Sequence, residues 1–186
     1  MQNTEQVKLQ TLALLVDNEA GVLSQIARLF SRKGFNIETF AAGATENPGV
    51  TRITIDVLAD DHNAEFMMNQ LRKLFPVRSV KWLTRDTSIY RQMVFIKVKA
   101  DTGERRNDVI QLANIFRAQI IDVSLHTLTL VLTGDEEKVS GIIKIMQEFE
   151  ILEIARTGVV AIERGSATIN DKSKESGEFN YGKNVL

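Results

Sequence analysis

The residues of this chain whose types and order suit binding chemistry fall in DNEAGVLSQIARLF, from Asp17, and in GFNIETF, from Gly34. An apolar run from Leu9 to Val16 reads as a strand, Asp17-Asn18-Glu19 as a polar turn, and Gly21 as the start of a helix. The first N–H groups of a helix have no intrahelical acceptor, and the helix dipole adds positive potential there, so a carboxylate is the natural guest. Glycine lets that guest approach the backbone closely. Asn36, where the next strand opens, offers a donor and an acceptor in one side chain and so can address the ammonium or carboxylate of a small amino acid. The same residues also describe an ordinary strand-to-helix turn, with Asn36 merely following a helix stop, and spacing alone leaves both readings open.

Other reactive residue types lack the company that catalysis needs. His62 follows Asp60-Asp61 and His126 sits in a turn between strands, with no third partner at catalytic or metal-ligand spacing. Asp60-Asp61 reads as a helix cap and Arg105-Arg106 as a solvated pair; Gly21 and Gly34 are too far apart for a phosphate loop or a dinucleotide fingerprint. No catalytic residue and no metal ligand is therefore assigned. With no cysteine, thiolate chemistry is excluded and a reducing compartment is expected. Lys and Arg number 23 against 24 Asp and Glu, so no net field attracts nucleic acid or anionic membrane. The opening MQNTEQVKLQTLALLV lacks the pattern of an export signal, and no apolar run reaches membrane-spanning length; a cytoplasmic protein is expected.

The elements that must position these residues follow from periodicity. A helix carries Val22, Leu23, Ile26, Leu29 and Phe30 on one side and ends at Gly34; a strand runs from Asn36 to Ala44. From Thr51 to Leu58, Ile53, Ile55 and Val57 alternate with Arg52, Thr54 and Asp56, which predicts a sheet buried on one face only. A helix over Ala64 to Leu74 and a strand through Val77, Val80 and Trp82 complete βαββαβ. The order then repeats: a strand around Val94 to Val98, a helix from about Arg106 to Phe116, two strands within Ile120 to Leu132, a helix over Glu136 to Phe149 and one strand from Ile151 to Ile162. ARLFSRKGFNI from Ala27 matches ANIFRAQIIDV from Ala113, pairing Phe30 with Phe116, whereas Leu58 pairs with Leu132 at a shorter offset. The first copy thus holds extra length around GATENPGVTR. The fold class is α+β: two ferredoxin-like βαββαβ domains in tandem, antiparallel sheets with helices on one face. Units this small leave surface to be covered by another domain or chain. The boundaries are 1–84 and 85–165, with a linker near Thr84 to Ile89, and the polar, aperiodic 166–186 is expected to be a disordered tail.

DNEAGVLSQIARLFSRKGFNIETF, NPGVTRITIDV, IFRAQIIDVS and ARTGVVAIERG, in that order, resemble the small regulatory subunit of acetolactate (acetohydroxyacid) synthase over residues 9 to 165. The first half resembles the ACT domain, whose amino acid ligand lies between paired domains. The resemblance implies a homodimer that binds a branched-chain amino acid, usually valine. Effector contacts are then Asn18, Gly21, Val22 and Leu23 from the turn, with Asn36 and Ile37 across the interface. Gly43-Ala44 is smaller than the pair relatives often carry and leaves valine, leucine and isoleucine open. The resemblance also implies that the chain activates a catalytic large subunit and confers feedback inhibition on branched-chain amino acid biosynthesis. Thiamine diphosphate, FAD and Mg²⁺ are expected on that large subunit and no cofactor on this chain. The loop Thr45, Glu46, Asn47, Pro48 and Gly49, with Arg52, is assigned to activation of the large subunit, although Asn-Pro-Gly is equally ordinary hairpin chemistry. The alternative is a free-standing ACT-domain amino acid sensor with no enzyme partner; an RNA-binding reading fails for want of stacking aromatics on a basic sheet.

Overall fold

Alternating apolar residues build the first sheet of a computed structural model that describes residues 6–170. Its elements are β1 (Lys8–Asp17), α1 (Val22–Arg32), β2 (Ile37–Ala44), β3 (Val50–Ala59), α2 (Asp61–Leu71) and β4 (Val77–Leu83), with antiparallel strand order β2-β3-β1-β4. Leu12, Leu14, Ile53 and Ile55 point from the sheet onto Ile26 and Phe30 of α1 and Met67 and Leu71 of α2, and burying these large side chains is what holds the two helices to one face. Gly34, at φ 74°, ends α1 in the left-handed conformation that glycine adopts without steric cost.

The second unit repeats the arrangement with β5 (Ser88–Lys99), α3 (Gly103–Phe116), β6 (Gln119–Val123), β7 (Thr127–Gly134), α4 (Glu136–Met146), β8 (Ile151–Arg156) and β9 (Val160–Glu163). Its order β6-β7-β5-β8 puts β6 at the edge, where β2 stands in the first sheet. Val94, Ile96, Val98 and Leu130 pack on Val109, Ala113, Val139 and Ile142. The extra length of the first copy goes partly into its strands, since β2 and β3 have 8 and 10 residues against 5 and 8 for β6 and β7. Two ferredoxin-like α+β units in tandem are thus observed.

Four expectations need correction. The final strand is two strands, because long β5 pairs with β8 through Val94–Val98 but with β9 through Ser88–Arg91. The break passes Gly158, where an added Cβ would collide with the Phe40 carbonyl oxygen, so only glycine lets the chain run this close to β2. Secondly, the middle of the first sheet's outer face is covered: Thr11, Thr54 and Asp56 are buried, and Ala13 packs with Tyr90, Ala161 and Ile169. Polar alternation signalled a wet face; tertiary packing made it an interface. Thirdly, Ser88 and Ile89 belong to β5, which confines the connection to 84–87. Lastly, the start of the expected tail is held, with Ile169 only 9% exposed and its carbonyl accepting from Ser79 Oγ at 2.7 Å. Lys81 Nζ donates to Thr168 O at 2.9 Å. Residues 171–186 of that tail lie outside the described residues.

Candidate ligand-binding site

The turn after β1 is fixed by its backbone: Asp17 N donates to Pro76 O at 2.8 Å and Asn18 N to Gly49 O at 3.0 Å. Gly21 then takes φ 88°, ψ −8°, a left-handed conformation that would strain any side chain, and nothing lies within 4 Å of where its Cβ would be. Helix α1 therefore starts beneath open space. The other three α-helices are closed by a side chain: Asp60 accepts from Asn63 N, Thr102 from Arg105 N and Asp135 from Lys138 N. Helix α1 has neither a side-chain cap nor an acidic residue in its first turn. Val22 N reaches Glu19 O only at 3.4 Å, so an acceptor placed at this end would gain from both N–H donors and dipole. Val22 is buried in the core, so only its backbone can face a guest, whereas Leu23 is 48% exposed and offers apolar contact.

Asn18 is committed within the chain. Its Nδ2 donates to Pro48 O at 3.0 Å and its Oδ1 accepts from Thr51 Oγ1 at 3.1 Å, tying the helix-start turn to the β2–β3 loop. That loop is internally bonded: Gly49 N donates to Asn47 Oδ1 at 3.0 Å, Val50 N to Asn47 O at 2.9 Å, and Thr45 Oγ1 to Asn47 O at 3.1 Å. The structure thus brings Asn18 and the loop together. Arg52 turns elsewhere, donating from Nη2 to Ala161 O of β9 at 2.8 Å. Burial lowers the pKa of its guanidinium, and Glu163 nearby opposes that shift.

Asn36 and Ile37 stand beyond the far end of α1. An 11-residue helix is about 16 Å long, so within one chain they cannot share a small guest with Gly21. Asn36 Nδ2 donates to Glu38 Oε1 at 2.8 Å, while Ile37 packs partly on the first core. Glu38 is the extra residue of an irregularity in β2, between the pairs Ile37–Val57 and Thr39–Asp56. Sequence reasoning missed two features. The first is a cleft of about 750 Å³ between the loop residues Thr45–Asn47 and the β9 segment, with Arg52 in its lining; no local signal places β9 against the first unit. The second is the set Thr11, Thr39 and Asp56, of which Asp56 is assigned to a solvent face by alternation. Among the described residues no group of His, Asp or Glu is arranged to hold a metal.

Comparison with known proteins covers nearly all of this architecture. The profile described as "AHAS small subunit-like ACT domain" matches residues 12–79, and that described as "Small subunit of acetolactate synthase" matches residues 91–165. A protein named "Probable acetolactate synthase small subunit" from Archaeoglobus fulgidus is 44% identical over 156 residues, 84% of this chain and 97% of its own length. The "Acetolactate synthase small subunit" of Mycobacterium leprae is 43% identical over 155 residues, 83% of this chain and 91% of its own. The crystal structure of the acetolactate synthase small subunit from Thermotoga maritima superposes with a TM-score of 0.81 at 36% identity, covering 86% of this chain and 99% of that one.

Proposed function

The chain belongs to the acetolactate synthase small-subunit family, a regulatory partner in branched-chain amino acid biosynthesis, and from that premise we propose that it senses valine at the Gly21 turn and sets the activity of a catalytic large subunit. The observation that carries this is the start of α1, the one α-helix among the described residues without a side-chain cap, under open space and beside an exposed leucine. A free amino acid supplies what is missing: a carboxylate for the helix end, an aliphatic group for Leu23, and an ammonium for an asparagine amide oxygen. Two chains pair through their first units, so that Asn36 and Ile37 of one face the turn of the other; edge strand β2 is the element on which such pairing can run. Enclosure by two copies matters because so small a ligand gains useful affinity only when most of its surface is covered.

The loop Thr45–Gly49, joined to the effector turn through Asn18, acts on the large subunit, and the second unit supplies further contact. Arg52 serves that loop from behind by bracing β9. We assign thiamine diphosphate, FAD and Mg²⁺ to the large subunit, and this chain's residues bind, orient and couple. Inhibition requires that valine favour one arrangement of the assembly over another; a coupling of about 1–3 kcal/mol gives roughly 5- to 150-fold modulation. The test is reconstitution with the large subunit, with titration calorimetry of valine, leucine and isoleucine on the small subunit alone. Activation on mixing, and valine binding with one site per Gly21 turn, are expected. Absence of copurification and of activation would favour the free-standing sensor.

A further inference from the structure

Asp56 is the most deeply buried acidic or basic residue among the described residues, 1% exposed, and no Lys, Arg or His among them pairs with it at salt-bridge distance. Its carboxylate is held by two hydroxyls. Thr11 Oγ1 of β1 donates to Oδ1 at 2.6 Å and Thr39 Oγ1 of β2 to Oδ2 at 2.7 Å. Tyr90 of β5, in the second unit, packs against the same sheet face beside Ala13 of β1. Burial raises the Tyr90 pKa, and the Asp56 charge adds to the shift. Asp56, Arg85, Tyr90 and Arg91 also line a cavity of about 10 Å³ at the junction of the two units, roughly the space of one water. Asp56 therefore stands where β2, β1 and β3 meet β5 of the second unit, bonded to the first two and sharing a cavity with Tyr90.

Stability alone gives no reason for this carboxylate. Taking a charge out of water costs several kcal/mol, and an apolar residue of similar volume is often as stable or more so. What a buried, fully bonded acceptor supplies is a fixed register. Asp56 faces Thr39 immediately after the irregularity at Glu38, and Asn36 and Ile37 stand immediately before it. Thr39 holds β2 from the bulge inward, and Asn36 and Ile37 lie on the other side of that irregularity, outside the held stretch.

We propose that Asp56 is a positioning residue that couples the start of β2, through Thr39 and the cavity it shares with Tyr90, to the second unit, so that effector occupancy is felt there. This rests on the reading of Asn36 and Ile37 as effector contacts. Removing the carboxylate separates response from binding.

The experiment uses the full chain reconstituted with the large subunit. Asp56→Val is expected to bind valine within about threefold of the unaltered chain by calorimetry, while the concentration for half inhibition rises at least about tenfold. Asp56→Asn, which keeps an acceptor and can donate back to a threonine hydroxyl, restores the response to within about threefold. Thr39→Val, which leaves the charge in place, serves as the second variant and gives the same split if Asp56→Val does not fold. Unchanged inhibition, or binding and inhibition lost in equal proportion, overturns the proposal. If the unaltered chain binds none of valine, leucine and isoleucine, the effector reading itself has failed. Asp56 is then judged without ligand, by amide exchange of 88–91 in a cycle of Thr39→Val and Tyr90→Phe. Non-additive effects that become additive in Asp56→Asn support the coupling, and additivity in both backgrounds overturns it.

Discussion

Helices α1 and α3 occupy equivalent places in the two units, yet they begin in opposite ways. Thr102 closes α3 by accepting from Arg105 N at 3.2 Å, and Glu104 lies in its first turn, so both N–H donors and dipole are satisfied within the chain. Gly21 supplies α1 with no such group. The sheets differ in parallel: β5 and β9 cover the outer face of the first around Thr11, Ala13 and Thr54, whereas in the second Phe95, paired with Val131 and Ala155 opposite to its core side, stays 36% exposed. One topology therefore makes two kinds of surface, and the difference lies in a few residues at helix starts and in where β9 and residues 166–170 fall.

The sharpest way to break the comparison is to give the first unit the short hairpin of the second. Replacing Thr45–Gly49 by a three-residue turn is expected to reduce large-subunit activity to that of the large subunit alone, with folding by circular dichroism intact. Because Asn18 bonds to Pro48, valine inhibition should weaken too; full activation by this variant would remove the loop from the proposal. Next, Gly21→Asp gives α1 the acidic group the other helices have. The new carboxylate competes with the ligand's own, and valine binding should weaken at least about 30-fold, close to 2 kcal/mol, by calorimetry. The left-handed backbone costs the variant about 1–2 kcal/mol of stability, and activation of the large subunit persists. Gly21→Ala carries the same strain without the charge and separates the two effects.

The reverse substitution is milder. Thr102→Ala uncaps α3 and should cost about 1 kcal/mol in chemical unfolding while leaving the valine response unchanged. A changed response would mean that the two helix starts are not functionally distinct. The smallest effect concerns acid. Burial pushes the Glu136 pKa up, but hydrogen bonds from Gln92 and Ser140 and the charge of Arg156 outweigh it, so the net shift is downward. A lowered carboxylate pKa contributes stability above its unfolded value, about 4.3, and that contribution fades as pH falls through the folded value. Glu136→Gln should therefore flatten the acid limb of the stability curve near and below pH 4, with little change at pH 7.

The helix start at Gly21, the stop at Gly34, the cap at Asp60 and the tandem repeat were legible because each depends on local chemistry: backbone freedom, side-chain capping, or the period of apolar residues. Asp56 and Thr54 show the limit of that logic. Their alternation with Ile53, Ile55 and Val57 states only that they face away from the first core, and what lies on that other side depends on residues some 30 to 110 positions later. The sequence by itself settled two βαββαβ units and a helix start at Gly21, since both follow from neighbours along the chain. Tertiary structure alone decided that Asn18 binds the β2–β3 loop, that Arg52 reaches β9, that the final strand breaks at Gly158 and that a carboxylate is sealed between the units. Those contacts join segments distant in sequence, and their energies depend on a geometry that no local pattern encodes.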